Sequence, residues 1–123
     1  MGGPRVPTSR LRVARDPALA LIVRIFVGSV TERWDVPEAA REDLRLAASD
    51  LFSGAVEVGG GDLVTFELSS DDDEIELRAE DVTPPTEELT GLEGSVERFD
   101  LVRALFPEAE IGETVRIRVP SHA

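Results

Sequence analysis

The chain reads as one α+β domain, a two-layer α/β sandwich in which a mainly antiparallel, mixed sheet is covered on one face by about three helices. Three observations predict this class. The hydrophobic period runs strand, helix, helix, hairpin, loop, helix, strand, and helices gathered beside antiparallel strands pack as two layers. The 123 residues fall within about 50–200, the usual size of one domain, and suffice for a single sheet-and-helix core. No internal repeat or low-complexity tract divides them, so residues 1–9 read as a flexible leader, 10–120 as the domain and 121–123 as a tail.

Each element has a local reason. Arg10-Leu11-Arg12-Val13 alternates as a short strand, expected at a sheet edge. Asp16-Pro17 is a helix start, with an oxygen acceptor at the cap and proline just inside. Leu19, Ile22, Val23, Phe26, Val27, Val30 and Trp34 then recur at helical spacing, which predicts one broad buried stripe. Asp35-Val36-Pro37 breaks that helix. A second helix is expected from about Glu38 to Val58, with Leu44, Ala47, Ala48, Leu51 and Ala55 inward, and Gly59-Gly60-Gly61-Asp62 ends it. Leu63 to Leu68 and Glu74 to Asp81 read as a hairpin joined by Ser69 to Asp73. That acidic turn lacks the glycine and distal glutamate of a calcium loop and reads as a solvated connection. Thr83 to Glu97, with Pro84-Pro85, is irregular. A third helix is expected from about Val96 to Phe106, with Phe99, Val102 and Leu105 or Phe106 inward, and Thr114 to Val119 alternates as the last strand.

Composition excludes several function classes. With 25 acids against 13 bases the net charge is −12, which repels a phosphate backbone or an anionic membrane rather than binding it. The most apolar run, Ala18 to Val30, is interrupted by Arg24 and falls short of the roughly 20 residues that span a bilayer. Met1 to Arg10 has arginines but no apolar block ending in a small-residue cleavage site, so no secretory signal is expected and the cytoplasm is the expected compartment. Without cysteine, and with His122 as the only histidine, thiolate catalysis, histidine triads and zinc sites have no residues to form from. The basic residues are all arginine, which leaves no lysine for a Schiff base or a phosphate clamp.

Asp16-Pro17, Val36-Pro37, the run Asp43 to Asp50, the hairpin end at Asp81, Leu101 to Leu105 and Gly112 to Arg116, taken in that order, resemble the small anti-sigma-factor serine kinases of bacteria, in the GHKL (Bergerat), histidine kinase-like ATPase superfamily. The strings are the strand ending in Asp16-Pro17, the first helix with its Val36-Pro37 break, and Asp43-Leu44-Arg45-Leu46-Ala47-Ala48-Ser49-Asp50. The hairpin ending in Asp81, the run Leu101-Val102-Arg103-Ala104-Leu105 and the closing Gly112-Glu113-Thr114-Val115-Arg116 follow in the same order. The resemblance covers roughly Arg10 to Pro120. It implies a histidine kinase-like ATPase fold whose second helix carries the general base, with an asparagine four residues later coordinating Mg²⁺.

Carried over residue by residue, the resemblance makes Asp50 a vestigial general base, one methylene shorter than the family's glutamate. A reacting group displaced by about an ångström can cost on the order of a hundredfold in rate. Gly54 stands where the asparagine is expected, and the chain has no asparagine, glutamine or lysine anywhere. Phosphoryl transfer depends chiefly on positioning and charge neutralisation, so loss of a metal ligand removes a main contribution. Asp81 falls at the adenine-reading aspartate, but Thr83 replaces the glycine two residues on. Val96 and Arg98 stand where the ATP lid's Gly-x-Gly is expected, in a segment with Glu87, Glu88, Glu93 and Glu97 and no base from Thr83 to Glu97. Gly112 and Thr114 match the closing Gly-x-Thr that helps hold the adenine end.

Each residue also has a plainer reading: Asp50 as an exposed helix acid, Asp81 as a strand-ending turn residue, Arg98 as a solvated helix-start arginine, Gly112 as a turn glycine. The matching positions, Asp50, Asp81, Gly112 and Thr114, cluster at the base and the adenine end. The departures at Gly54, Thr83, Val96 and Arg98 cluster at metal and phosphates. This predicts an anti-sigma-factor-like regulatory binding protein with a degenerate ATP site, acting through a sigma factor or an anti-sigma antagonist, with no bound cofactor or metal and a homodimer as an option. The alternatives are an active serine-protein kinase using ATP and Mg²⁺ on an antagonist, and an acidic adaptor unrelated to sigma regulation.

Overall fold

The computed structural model describes residues 7–58, 61–71, 73–82 and 99–121. Strand β1 (Thr8–Ala14) leads through a 3-10 turn (Pro17–Leu19) into helix α1 (Ala20–Arg33) and helix α2 (Glu38–Val58). The hairpin β2 (Leu63–Ser70) and β3 (Glu74–Glu80) follows, then helix α3 (Asp100–Leu105), β4 (Glu110–Ile111) and β5 (Thr114–Pro120). Five strands form one sheet in the order β1-β2-β3-β5-β4, with β1 at an edge as its alternation predicts. Every described pairing is antiparallel. The expectation of a mixed sheet is therefore corrected: hairpins and the return through α3 bring neighbouring strands in with opposite sense.

Period-two alternation explains the two faces. Val64, Phe66 and Leu68 of β2, Ile75, Leu77 and Ala79 of β3, and Val115, Ile117 and Val119 of β5 are buried beneath the helices. The residues between them form an open polar face, where Arg10 bonds Glu67 at 2.7 Å and Arg118 bonds Glu110 at 2.6 Å. Such cross-strand ion pairs are exposed and contribute modestly. Under the helices Leu44, Ala47, Ala48, Leu51, Phe52 and Ala55 of α2 meet the sheet. The rings of Phe52 and Phe66 pack tilted, with centroids 6.5 Å apart, a favourable aromatic geometry.

The helix termini follow the sequence with one refinement each. The Asp16 side chain accepts from the Ala18 amide at 2.9 Å, but the turn it caps is 3-10 before α1 begins at Ala20. Helix α1 ends with Asp35 in the left-handed region at φ 55°, where the Val36 amide donates to Thr31 and the Asp35 amide to Glu32. This is a Schellman closure with aspartate in glycine's usual place. Asp71 organises the β2–β3 turn, accepting from the amides of Asp73 and Glu74 at 2.8 and 2.7 Å; those bonds hold its carboxyl below the usual range. One part of the α1 stripe is corrected: Ile22 is 45% exposed, while Val23, Val27 and Val30 face inward. Apolar residues occur all round α1, so spacing alone did not select the buried face.

Candidate functional site

Helix α2 carries Asp50 on the flank of its buried stripe, half-buried and turned toward α3. The reason for its orientation lies in α3. That helix begins after Phe99, whose side chain has no oxygen and makes no capping bond. The Asp50 carboxylate supplies one instead, accepting from the Val102 amide in the first turn at 3.3 Å. Orphan amides at a helix start need such an acceptor. Burial pushes the Asp50 carboxyl above its ordinary value; the Val102 bond opposes this and the nearby Asp100 charge adds to it. Asp50 is thus more than an exposed helix acid: its carboxylate joins α2 to α3.

Gly54 lies one turn further along α2 and is buried, with no side chain to offer a metal. At the far end of α2, Arg15 does what the sequence reading missed. Its guanidinium donates to three backbone carbonyls: Ala55 at 2.8 Å, Gly61 at 2.6 Å and Asp81 at 2.6 Å. The five N–H donors of a planar guanidinium suit such a convergent role. One side chain thereby ties the end of β1 to the last turns of α2 and to the end of β3. The only local hint is an arginine immediately before the Asp16-Pro17 helix start.

Asp81 sits just past the end of β3 at φ 65°, exposed, with its carbonyl taken by Arg15. A left-handed aspartate is uncommon and marks a tight chain reversal. Thr114 opens β5 directly opposite Glu80, so the fold does bring Asp81 and Thr114 to adjacent strand ends. Gly112 is exposed, its backbone is not left-handed, and an added Cβ would meet nothing within 4 Å; neither conformation nor crowding requires glycine there. Before it, β4 is reduced to two residues paired with Val115 and Arg116. Thr83, Val96 and Arg98, with the whole lid-like segment, lie outside the described residues. So do Gly59 and Gly60 of the glycine run.

Two grooves on the described surface lie elsewhere. One, of about 420 Å³, runs between α1 and α2; the other, of about 440 Å³, lies beside β5 and the residues after α3. Neither is lined by Asp50, Asp81, Gly112 or Thr114. Among the described residues no three His, Cys, Asp or Glu side chains are grouped to hold a metal ion, and no helix is long and apolar enough to cross a membrane. No protein-family model matches this sequence, and no curated protein matches it either.

Proposed function

We propose that this protein is an anti-sigma-factor-like regulatory binding protein of histidine kinase-like ATPase fold, acting in the bacterial cytoplasm by docking a sigma factor or an anti-sigma antagonist. Support comes first from the ordered strings that resemble those kinases. The observation that carries the rest of the reading is the pairing at α2: the Asp50 carboxylate accepts from Val102, and Gly54 presents no ligand one turn later. A base must reach the proton it removes, and a carboxylate engaged in holding a neighbouring helix is poorly placed for that. A five-stranded sheet covered by three helices is compatible with the proposed fold, and the −12 charge favours rapid association with a basic partner surface.

The test is to mix the purified chain with each sigma factor and antagonist of its own cell, with and without radiolabelled ATP and Mg²⁺. The reading predicts a complex that forms equally well without nucleotide and no label on any protein. Phosphoserine on an antagonist would establish the active kinase instead. Absence of any complex would leave the acidic adaptor.

A further inference from the structure

We propose that the groove between α1 and α2 is a docking site for a partner's amphipathic helix whose apolar stripe is bordered by carboxylates. The inference is independent of the nucleotide question, because the groove lies on the outer helical face and away from Asp50 and Asp81.

Apolar surface comes first. Leu21 and Ile25, one turn apart on α1, are 56% and 55% exposed, and Leu46 of α2 faces the same groove. Residues 21 and 32, which mark the groove's extent along α1, are separated by about 16 Å at 1.5 Å per residue, so about three turns of a partner helix fit beside it. Helices recognised in this way place apolar anchors at i, i+4 and i+7.

Charge decides the partner's chemistry. The groove is bordered by Arg24, Arg41 and Arg45 against Glu32 and Glu42, three bases to two acids in a chain with 13 bases to 25 acids. Arg45 already bonds Glu42, and its aliphatic stem crosses α1 at Gly28, where an added Cβ would lie 3.1 Å from the arginine's Cδ. Glycine at that point lets the stem lie flat and keeps the groove open. Arg41 has a buried Nε with no acceptor, and among the described residues neither Arg24 nor Arg41 forms an ion pair. A buried N–H of a cation lacks something it should have. The Nε itself is closed to a partner, but the Nη end of Arg41 is not buried and lines the groove, where a carboxylate from a docked helix meets it, and arginine matches carboxylate geometry well. A second copy fits less well, since a two-fold contact would set two net-positive grooves against each other.

The experiment uses the full chain and two fluorescein-labelled synthetic helical peptides. Both have leucine at i, i+4 and i+7; one has glutamate at the flanking positions and the other lysine. Fluorescence anisotropy should show the glutamate peptide binding at least about tenfold more tightly, against the sign of the protein's overall charge. Ile25→Glu should abolish that binding and Arg41→Gln should weaken it about tenfold, with both variants melting as the wild type does. Absence of binding, a preference for the lysine peptide, or unchanged binding by both variants would overturn the proposal. Sedimentation supplies the remaining outcome: a wild-type dimer that Ile25→Glu converts to monomer would show that a second copy occupies the groove, and this also overturns it.

Discussion

The two halves of α2 differ in how completely their polar atoms are matched. In the C-terminal half the Asp50 carboxylate holds the Val102 amide and the Ala55 carbonyl receives Arg15. In the N-terminal half Arg41 has a buried Nε without an acceptor, and Leu46 lies open to solvent beside Leu21 and Ile25. The half whose residue order resembles a nucleotide site therefore uses its polar groups to hold the fold together, whereas the unmatched chemistry lies at the other end of the same helix. A place in a sequence string and a bond in the folded chain are separate observations, and the bonds here show what the side chains hold.

The largest expected effect breaks or sustains that contrast directly. Arg15→Met removes three hydrogen bonds from a charged donor to backbone carbonyls and should cost about 2–3 kcal/mol, the lower range for partly exposed charged bonds. Arg41→Met, in the other half, should change stability by about 0.5 kcal/mol or less. Urea melts of both variants compare them; equal losses would erase the difference between the halves.

Gly54→Asn comes next. A side chain at a buried position on a packed helix costs about 1–3 kcal/mol through crowding, partly offset by the roughly 0.5 kcal/mol that asparagine gains over glycine in helix propensity. The variant should be less stable by thermal melting and should still not bind ATP tightly, because the acidic segment from Thr83 to Glu97 remains. Micromolar affinity in this variant alone would restore the missing amide to the centre of the account.

Asp50 gives a smaller effect with a sign that can be read against pH. Asp50→Ala removes the acceptor for α3 and should cost about 1 kcal/mol, as loss of a helix cap does. Asp50→Asn keeps an acceptor oxygen and removes the charge, and should be at least as stable as wild type at neutral pH. The folded carboxyl titrates above its unfolded value, so the native state binds the proton more readily. The penalty of the charged form is complete above the raised native value, is relieved as pH falls through it, and is gone below about 4. The advantage of Asp50→Asn should shrink over that window in urea melts. Asp71 acts oppositely: its lowered value gives stability above about 4 that is lost as pH falls through the native value. The Asp50 effect must therefore be read as a difference between variants. Asp35→Gly should give the smallest change, a gain of about 0.5 kcal/mol from relieving a left-handed aspartate.

Much of the fold was legible because its causes are local. Asp16-Pro17, the Val36-Pro37 break, the inward residues of α2 and the alternation of β2, β3 and β5 all follow from short-range spacing. The buried face of α1 was not, since Leu21, Ile22 and Ile25 are as apolar as Val23, Val27 and Val30, and only packing against α2 and the sheet chooses between them. The partners that define the candidate site were illegible for a different reason. Arg15 reaches carbonyls 40, 46 and 66 residues away and Asp50 an amide 52 residues away, and no local period encodes such distances. The start of α3 shows the same limit: Phe99 is no capping residue, so its boundary depends on an acid from another helix.

The C-terminal half of α2 bonds to α3 and to Arg15, and under the proposed function it does not grip nucleotide. Calorimetric titration of the full chain with ATP and Mg²⁺, followed by melting in the same solutions, tests it most directly. No saturable heat and no rise in Tm are expected at millimolar nucleotide. A micromolar Kd that requires Mg²⁺ and disappears in Asp50→Asn would contradict it.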